Sequence, residues 1–103
     1  MHINNIHQQI PFTTKDGSTI LSILDQSNAP VRNQSLAEAR LPAKKSTQRH
    51  HHKASEEFYF LLEGQAEMEI DGITKEVSSG DAVLIPTGSW HRITTSGDGP
   101  IRL

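Results

Sequence analysis

Cysteine is absent from the chain. Disulfides and thiolate metal sites are therefore excluded, and any metal site must use nitrogen and oxygen donors. Long apolar runs are missing too; none approaches the roughly 20 residues of a membrane-spanning helix. The opening MHINNIHQQIPF lacks a basic stretch followed by an apolar one, so no secretory leader is visible. Neither sign of charge dominates: 10 Lys plus Arg stand against 12 Asp plus Glu, for a formal net charge of −2. That balance leaves no electrostatic footprint for nucleic acid or an anionic membrane surface. A soluble, cytoplasmic protein is the expectation. Apolar residues make up only 34% of the chain, even allowing for its 7 glycines. At 103 residues a single domain spanning 1–103 is expected, with little room for a second. So small a core gains from a bound metal or a partner subunit.

What is present is a series of short segments divided by turns. Residues 1–18 read as an N-terminal extension: Ile3, Ile6, Ile10 and Phe12 are scattered among polar residues, Pro11 argues against a helix, and Asp16-Gly17 marks a turn. Thr19–Leu24 is β-prone, and 25–35 reads as a loop. Leu36–Leu41 carries conflicting signals. Ser35 and Glu38 have capping-box spacing, and Leu, Ala, Glu and Arg favour helix. The segment is short, alternates and stops at Pro42, so it is read as a strand. From Thr47 onward the pattern predicts strands over 47–52, 57–63, 65–71, 73–77, 82–85 and 90–95, with a last run at 101–103. Asp71-Gly72 is a hairpin signal, and further turns fall at 79–81, 86–89 and 96–100. Short strands with Gly and Pro turns predict an all-β sandwich or barrel.

The chemistry concentrates in Gln48–Gly64, QRHHHKASEEFYFLLEG. On an extended strand His50 and His52 share a face while His51 looks away. A carboxylate follows at Glu57, with Glu56 as the alternate, and a third imidazole lies at His91. Imidazoles with a carboxylate suit a first-row transition metal. A histidine run alone is usually a solvated loop; the added carboxylate and His91 turn the reading towards ligation. Trp90 is expected to pack on the face opposite His91. Met68 and Ile70 are expected to line the barrel.

The arrangement resembles the cupin superfamily. The first cupin motif, G-x5-H-x-H-x(3,4)-E-x6-G, is met by His50, His52, Glu57 and Gly64 over residues 44–64, with Lys44 in place of the opening glycine. The second, G-x5-P-x-G-x2-H-x3-N, is met by Gly80, Pro86, Gly88 and His91 over residues 80–95, with Thr95 where asparagine is usual. The 15 residues between Gly64 and Gly80 match the short spacing of compact microbial cupins. The resemblance implies a double-stranded β-helix, or jelly-roll, barrel. It also implies one divalent metal held by His50, His52, Glu57 and His91, the distance to Gly64 selecting Glu57 over Glu56. Three neutral imidazoles and a carboxylate leave one or two positions open on a five- or six-coordinate ion. Ligand type does not choose among Fe, Mn, Ni, Zn and Cu.

Tyr59 lies two residues beyond Glu57 on the same face. In some metal-dependent cupin lyases a tyrosine so placed acts as the base, so the resemblance makes Tyr59 a candidate catalytic residue. The ordinary alternative is a core tyrosine with a satisfied hydroxyl. If Glu57, Tyr59 and Leu61 face inward, then Phe58, Phe60 and Leu62 face outward and need cover. An N-terminal strand or a second subunit could provide it, and by resemblance to small cupins a homodimer is expected. Only Ile101–Leu103 follows the last turn, which leaves a short barrel edge, completion by a partner, or a chain that continues further as the alternatives. The implied function is that of a metal-dependent enzyme on a small polar organic substrate, in the dioxygenase, isomerase or lyase class. The alternative is a non-catalytic metal- or small-ligand-binding module.

Overall fold

A computed structural model describes residues Met1–Leu103. After a short 3-10 turn at Ile6–Gln8 come strands β1 (Phe12–Thr13), β2 (Thr19–Leu24), β3 (Leu36–Leu41), β4 (Glu57–Phe60), β5 (Gln65–Ile70), β6 (Ile73–Ser78), β7 (Ala82–Ile85), β8 (His91–Thr95) and β9 (Ile101–Arg102). They form three antiparallel sheets in the orders β1-β2-β3-β9, β6-β5-β8 and β4-β7. Chain crossovers join them. Leu61 donates its N–H to Asp81 beside β7, and the next two N–H groups, of Leu62 and Glu63, turn to Arg102 on β9.

The segment Leu36–Leu41 is a strand, as alternation and Pro42 require against its helical composition. Pairing on both sides decides it: β2 and β9 satisfy its backbone groups. In β5 the alternation places Ala66 and Met68 in the core and Gln65 and Glu67 outside. The Asp71-Gly72 tip has φ of 49° and 86°, the left-handed pair that a two-residue hairpin of matching twist needs. Its Asp71 carboxylate accepts the Trp90 N–H at 2.8 Å, which ties the tip to the start of β8.

Leu41, Tyr59, Leu61, Ala66, Met68, Ile85, Ile93 and Ile101 form the core. They come from all three sheets, so the core lies between them. Each large aliphatic buried here contributes about 1.5–3 kcal/mol. Gly64 is required where the chain leaves for β5. Its φ is 93°, and a Cβ there would stand 2.5 Å from the Pro100 carbonyl oxygen. Lys44, at the position of the motif's opening glycine, also has a left-handed φ, 59°. Lys44 thus holds a conformation that glycine adopts without strain.

Two predicted strands are corrected. Residues 47–52 are extended but not a regular strand. Ser46 bridges Thr94 and His50 bridges His91, so the register slips by one residue between them. The predicted strand 57–63 stops at Phe60, where its pairing passes from β7 to β9. Pro11 does not prevent the short turn at Ile6–Gln8, which ends before it. The run 101–103 supplies β9, and Leu103 exchanges backbone hydrogen bonds with Ala39.

Candidate metal centre

His91 opens β8, opposite Ile70 of β5, and its side chain is fully buried. His50 lies across from it; their backbones exchange hydrogen bonds of 2.8 and 3.1 Å and their rings sit 4.2 Å apart. His52 follows on the same face, 5.3 Å from the His50 ring and 5.6 Å from the His91 ring. Alternation survives the register slip because the outward residues are anchored. His51 packs on Trp90 at 4.0 Å, and Arg49 lies over the same indole while its Nε donates to Glu69 at 2.8 Å. Arg49 thereby holds the Glu69 carboxyl below its usual range. Trp90 packs away from His91, as the sequence predicts.

Glu57, at the start of β4, brings the fourth donor. One donor atom from each of His50, His52, Glu57 and His91 lies within 4.8 Å of the others. Glu56 is outside the cluster. The Glu57 Oε2 stands 3.0 Å from His52 Nε2 and 3.5 Å from His91 Nε2. Oε2 of Glu57 and Nε2 of His91 are nonetheless buried without a hydrogen-bond partner. A buried polar atom left unpaired costs about 1–3 kcal/mol, so two on facing residues call for an explanation.

The tautomers supply part of it. His50 Nδ1–H donates to the Gln48 carbonyl at 2.7 Å, and His91 Nδ1–H to the Ser89 carbonyl at 3.1 Å. A carbonyl can only accept, so these nitrogens carry the protons and both Nε2 lone pairs point at the cluster. Burial lowers the His91 pKa, with the neighbouring His50 and His52 acting in the same direction; the Ser89 hydrogen bond and Glu57 oppose them. A neutral imidazole and a carboxylate thus present lone pairs to each other. A cation between them supplies what both lack, and the residues fit a divalent metal.

Tyr59 is buried beside the cluster, its ring 6.0 Å from that of His91. Burial raises its pKa, and the carboxylates of Glu57 and Asp16 raise it further. The protein's own groups therefore hold it as a neutral phenol. Asp16 was not singled out by the sequence beyond its turn. It approaches from 32 residues away, where its Oδ2 accepts the Gln48 N–H at 3.1 Å. Burial raises its pKa, but hydrogen bonds from Ser18, Thr14 and Gln48 outweigh this and hold the carboxyl well below its usual range. Thr95, where the motif has asparagine, donates its buried hydroxyl to the Pro42 carbonyl at 3.0 Å. That bond ties the end of β8 to the loop after β3.

Among known proteins, the chain is 40% identical over 93 residues to the uncharacterized protein MJ1618 of Methanocaldococcus jannaschii, covering 90% of this chain and 74% of that one. Its fold superimposes on a predicted oxalate decarboxylase of Thermotoga maritima with a TM-score of 0.87, at 18% identity, covering 98% of this chain and 93% of the other. It also superimposes on the polyketide cyclase RemF of Streptomyces resistomycificus, with a TM-score of 0.82 and 23% identity, covering 99% and 75%. At such identities the two structures share the fold. The family model described as "Cupin domain" matches residues 37–103, a span that includes every donor of the cluster, and the chain belongs to that family.

Proposed function

We propose that this cupin is a metal-dependent enzyme acting on a small, oxygen-rich organic molecule at the His50, His52, Glu57 and His91 centre. The observation that carries the reading is the pair of buried, unpartnered atoms, Glu57 Oε2 and His91 Nε2, inside a cluster of four donors. A bound divalent ion would supply Lewis acidity towards a substrate oxygen. The chain's own part is to present the donors. Nδ1–H bonds hold His50 and His91 in one tautomer, and β4 delivers Glu57 and Tyr59 to the same face. In the metal-free chain, burial together with Glu57 and Asp16 keeps the Tyr59 hydroxyl protonated; a bound cation would offset those carboxylates, and Tyr59 is the residue we assign to hydrogen bonding or proton transfer with a substrate oxygen. The name of RemF, a polyketide cyclase, is in keeping with an oxygen-rich substrate.

The test is turnover of hydroxylated and carbonyl compounds by the metal-loaded protein. Activity that needs added metal and vanishes in a folded His52→Ala variant supports the reading. A second reading, a non-catalytic metal- or ligand-binding module, draws on the openness of the centre: the His52 side chain is 43% and Glu57 34% exposed. Stoichiometric metal uptake with no turnover across these compounds would favour it.

We also propose that two copies associate through the outer face of β4 and β7. Phe58 is paired with Leu84 and Phe60 with Ala82, while Tyr59 and Ile85 point inward. Phe58, Phe60 and Leu84 remain 74%, 52% and 51% exposed. This face carries no charged side chain, so it is self-complementary, and a second copy can cover it without stranding a charge.

A further inference from the structure

The segment that carries His50 and His52 lacks a ladder bond at its centre. Thr47 donates its N–H to Ile93 at 2.9 Å and His50 to His91 at 3.1 Å, while Gln48 N–H, next to Thr47 in the chain, faces away from β8 and meets no carbonyl there. Asp16 Oδ2 takes that N–H at 3.1 Å. The carbonyl of the same residue, Gln48, receives the His50 Nδ1–H at 2.7 Å. Asp16 is itself fixed. Its Oδ1 accepts the Ser18 N–H at 3.1 Å and the hydroxyls of Ser18 and Thr14. The two oxygens divide the work: one holds the turn between β1 and β2, the other holds Gln48.

We propose that Asp16 is a positioning residue for the metal centre, acting through Gln48 to set the His50 ring and aim its Nε2 at the cluster. The inference rests on the metal reading above. It gives residues 1–18 a role at the site, since the turn before β2 reaches the segment bearing two of the four donors. It also accounts for a carboxylate at position 16: two acceptor oxygens are needed at once, and an amide offers one.

Asp16→Asn keeps an acceptor for the turn but sets an NH2 group against the Gln48 N–H. Asp16→Ala removes both functions. Thr14→Ala loosens the turn and leaves the Gln48 bond in place. Metal-free protein is titrated with Co2+, reading affinity and the visible ligand-field spectrum. Loss of an outer hydrogen-bond partner costs about 10–100-fold in metal affinity, and that loss, with an altered spectrum, is expected for Asp16→Asn and Asp16→Ala. Thr14→Ala stays within about threefold of wild type, well short of the loss expected for an outer partner. Wild-type affinity and spectrum in folded Asp16→Asn overturn the proposal. If the wild type itself takes up no Co2+, the metal reading falls and the positioning role with it. Amide exchange in the wild type needs no variant: slow exchange at Gln48 N–H supports the tie, and exchange at the rate of an open loop overturns it.

Discussion

The buried Oε2 of Glu57 and Nε2 of His91 face each other at 3.5 Å, and neither has a hydrogen bond. Because His91 spends its proton on the Ser89 carbonyl, this is an encounter of two acceptors. A metal resolves it from outside; a donor placed at residue 57 resolves it from within. Glu57→Gln should therefore stabilise the metal-free protein while it impairs the metal site. The gain expected from pairing one buried acceptor is about 1 kcal/mol. In a domain of this size that is about 4–8 °C in Tm, read by calorimetry in chelator. Added metal should raise the Tm of the wild type and leave Glu57→Gln nearly unchanged. A metal-free Glu57→Gln that melts below wild type would contradict the acceptor–acceptor reading.

The two motif glycine positions should respond in opposite directions. Gly64→Ala sets a Cβ 2.5 Å from the Pro100 oxygen in a left-handed backbone, and should cost about 3 kcal/mol or more. Lys44 already bears a left-handed φ of 59° on an exposed residue. Lys44→Gly relieves that strain at some cost in unfolded-chain entropy, for a net gain of about 0.5–1 kcal/mol. Urea denaturation of both variants checks the pair, and a destabilised Lys44→Gly would show that the lysine side chain makes a contribution of its own.

Acid should loosen the turn that Asp16 organises. The folded carboxyl is held below its unfolded value, so its stabilisation is complete above about pH 4 and is lost as pH falls through the folded pKa. Asp16→Asn removes that titration. Its Tm should lie below wild type near neutrality, and the two curves should converge as pH falls from about 4 towards 2. Parallel curves over that window would mean that the hydrogen bonds to Asp16 add no stability.

Association should depend on the outer face of β4. Phe60→Lys places a charge on an apolar surface that a second copy would have to bury. Light scattering should find a dimer for the wild type and an 11.4 kDa species for the variant. A wild type of 11.4 kDa at all concentrations would remove the dimer.

The cluster of His50, His52, Glu57 and His91 was legible through the two cupin motifs, and local geometry agrees with them at several positions. His50 and His52 share a face by alternation, Gly64 is the residue its backbone admits, and Glu57 opens a strand whose inward side is apolar. What could not be read depends on pairing between distant segments. The slip between Ser46 and His50 is set by their partners on β8, so the predicted strand 47–52 lost its regularity. The bond from Asp16 to Gln48 joins segments 32 residues apart, and no signal near Asp16 announces it. The charge around Tyr59 was partly hidden for the same reason, since one of the two carboxylates acting on it is the distant Asp16.

The most direct test is an anomalous difference map from crystals grown with Co2+. The account predicts a single strong peak, at about 2.0–2.2 Å from Nε2 of His50, His52 and His91 and from Oε2 of Glu57. A map with no peak among these atoms, or with the His91 ring turned away from those of His50 and His52, would contradict it.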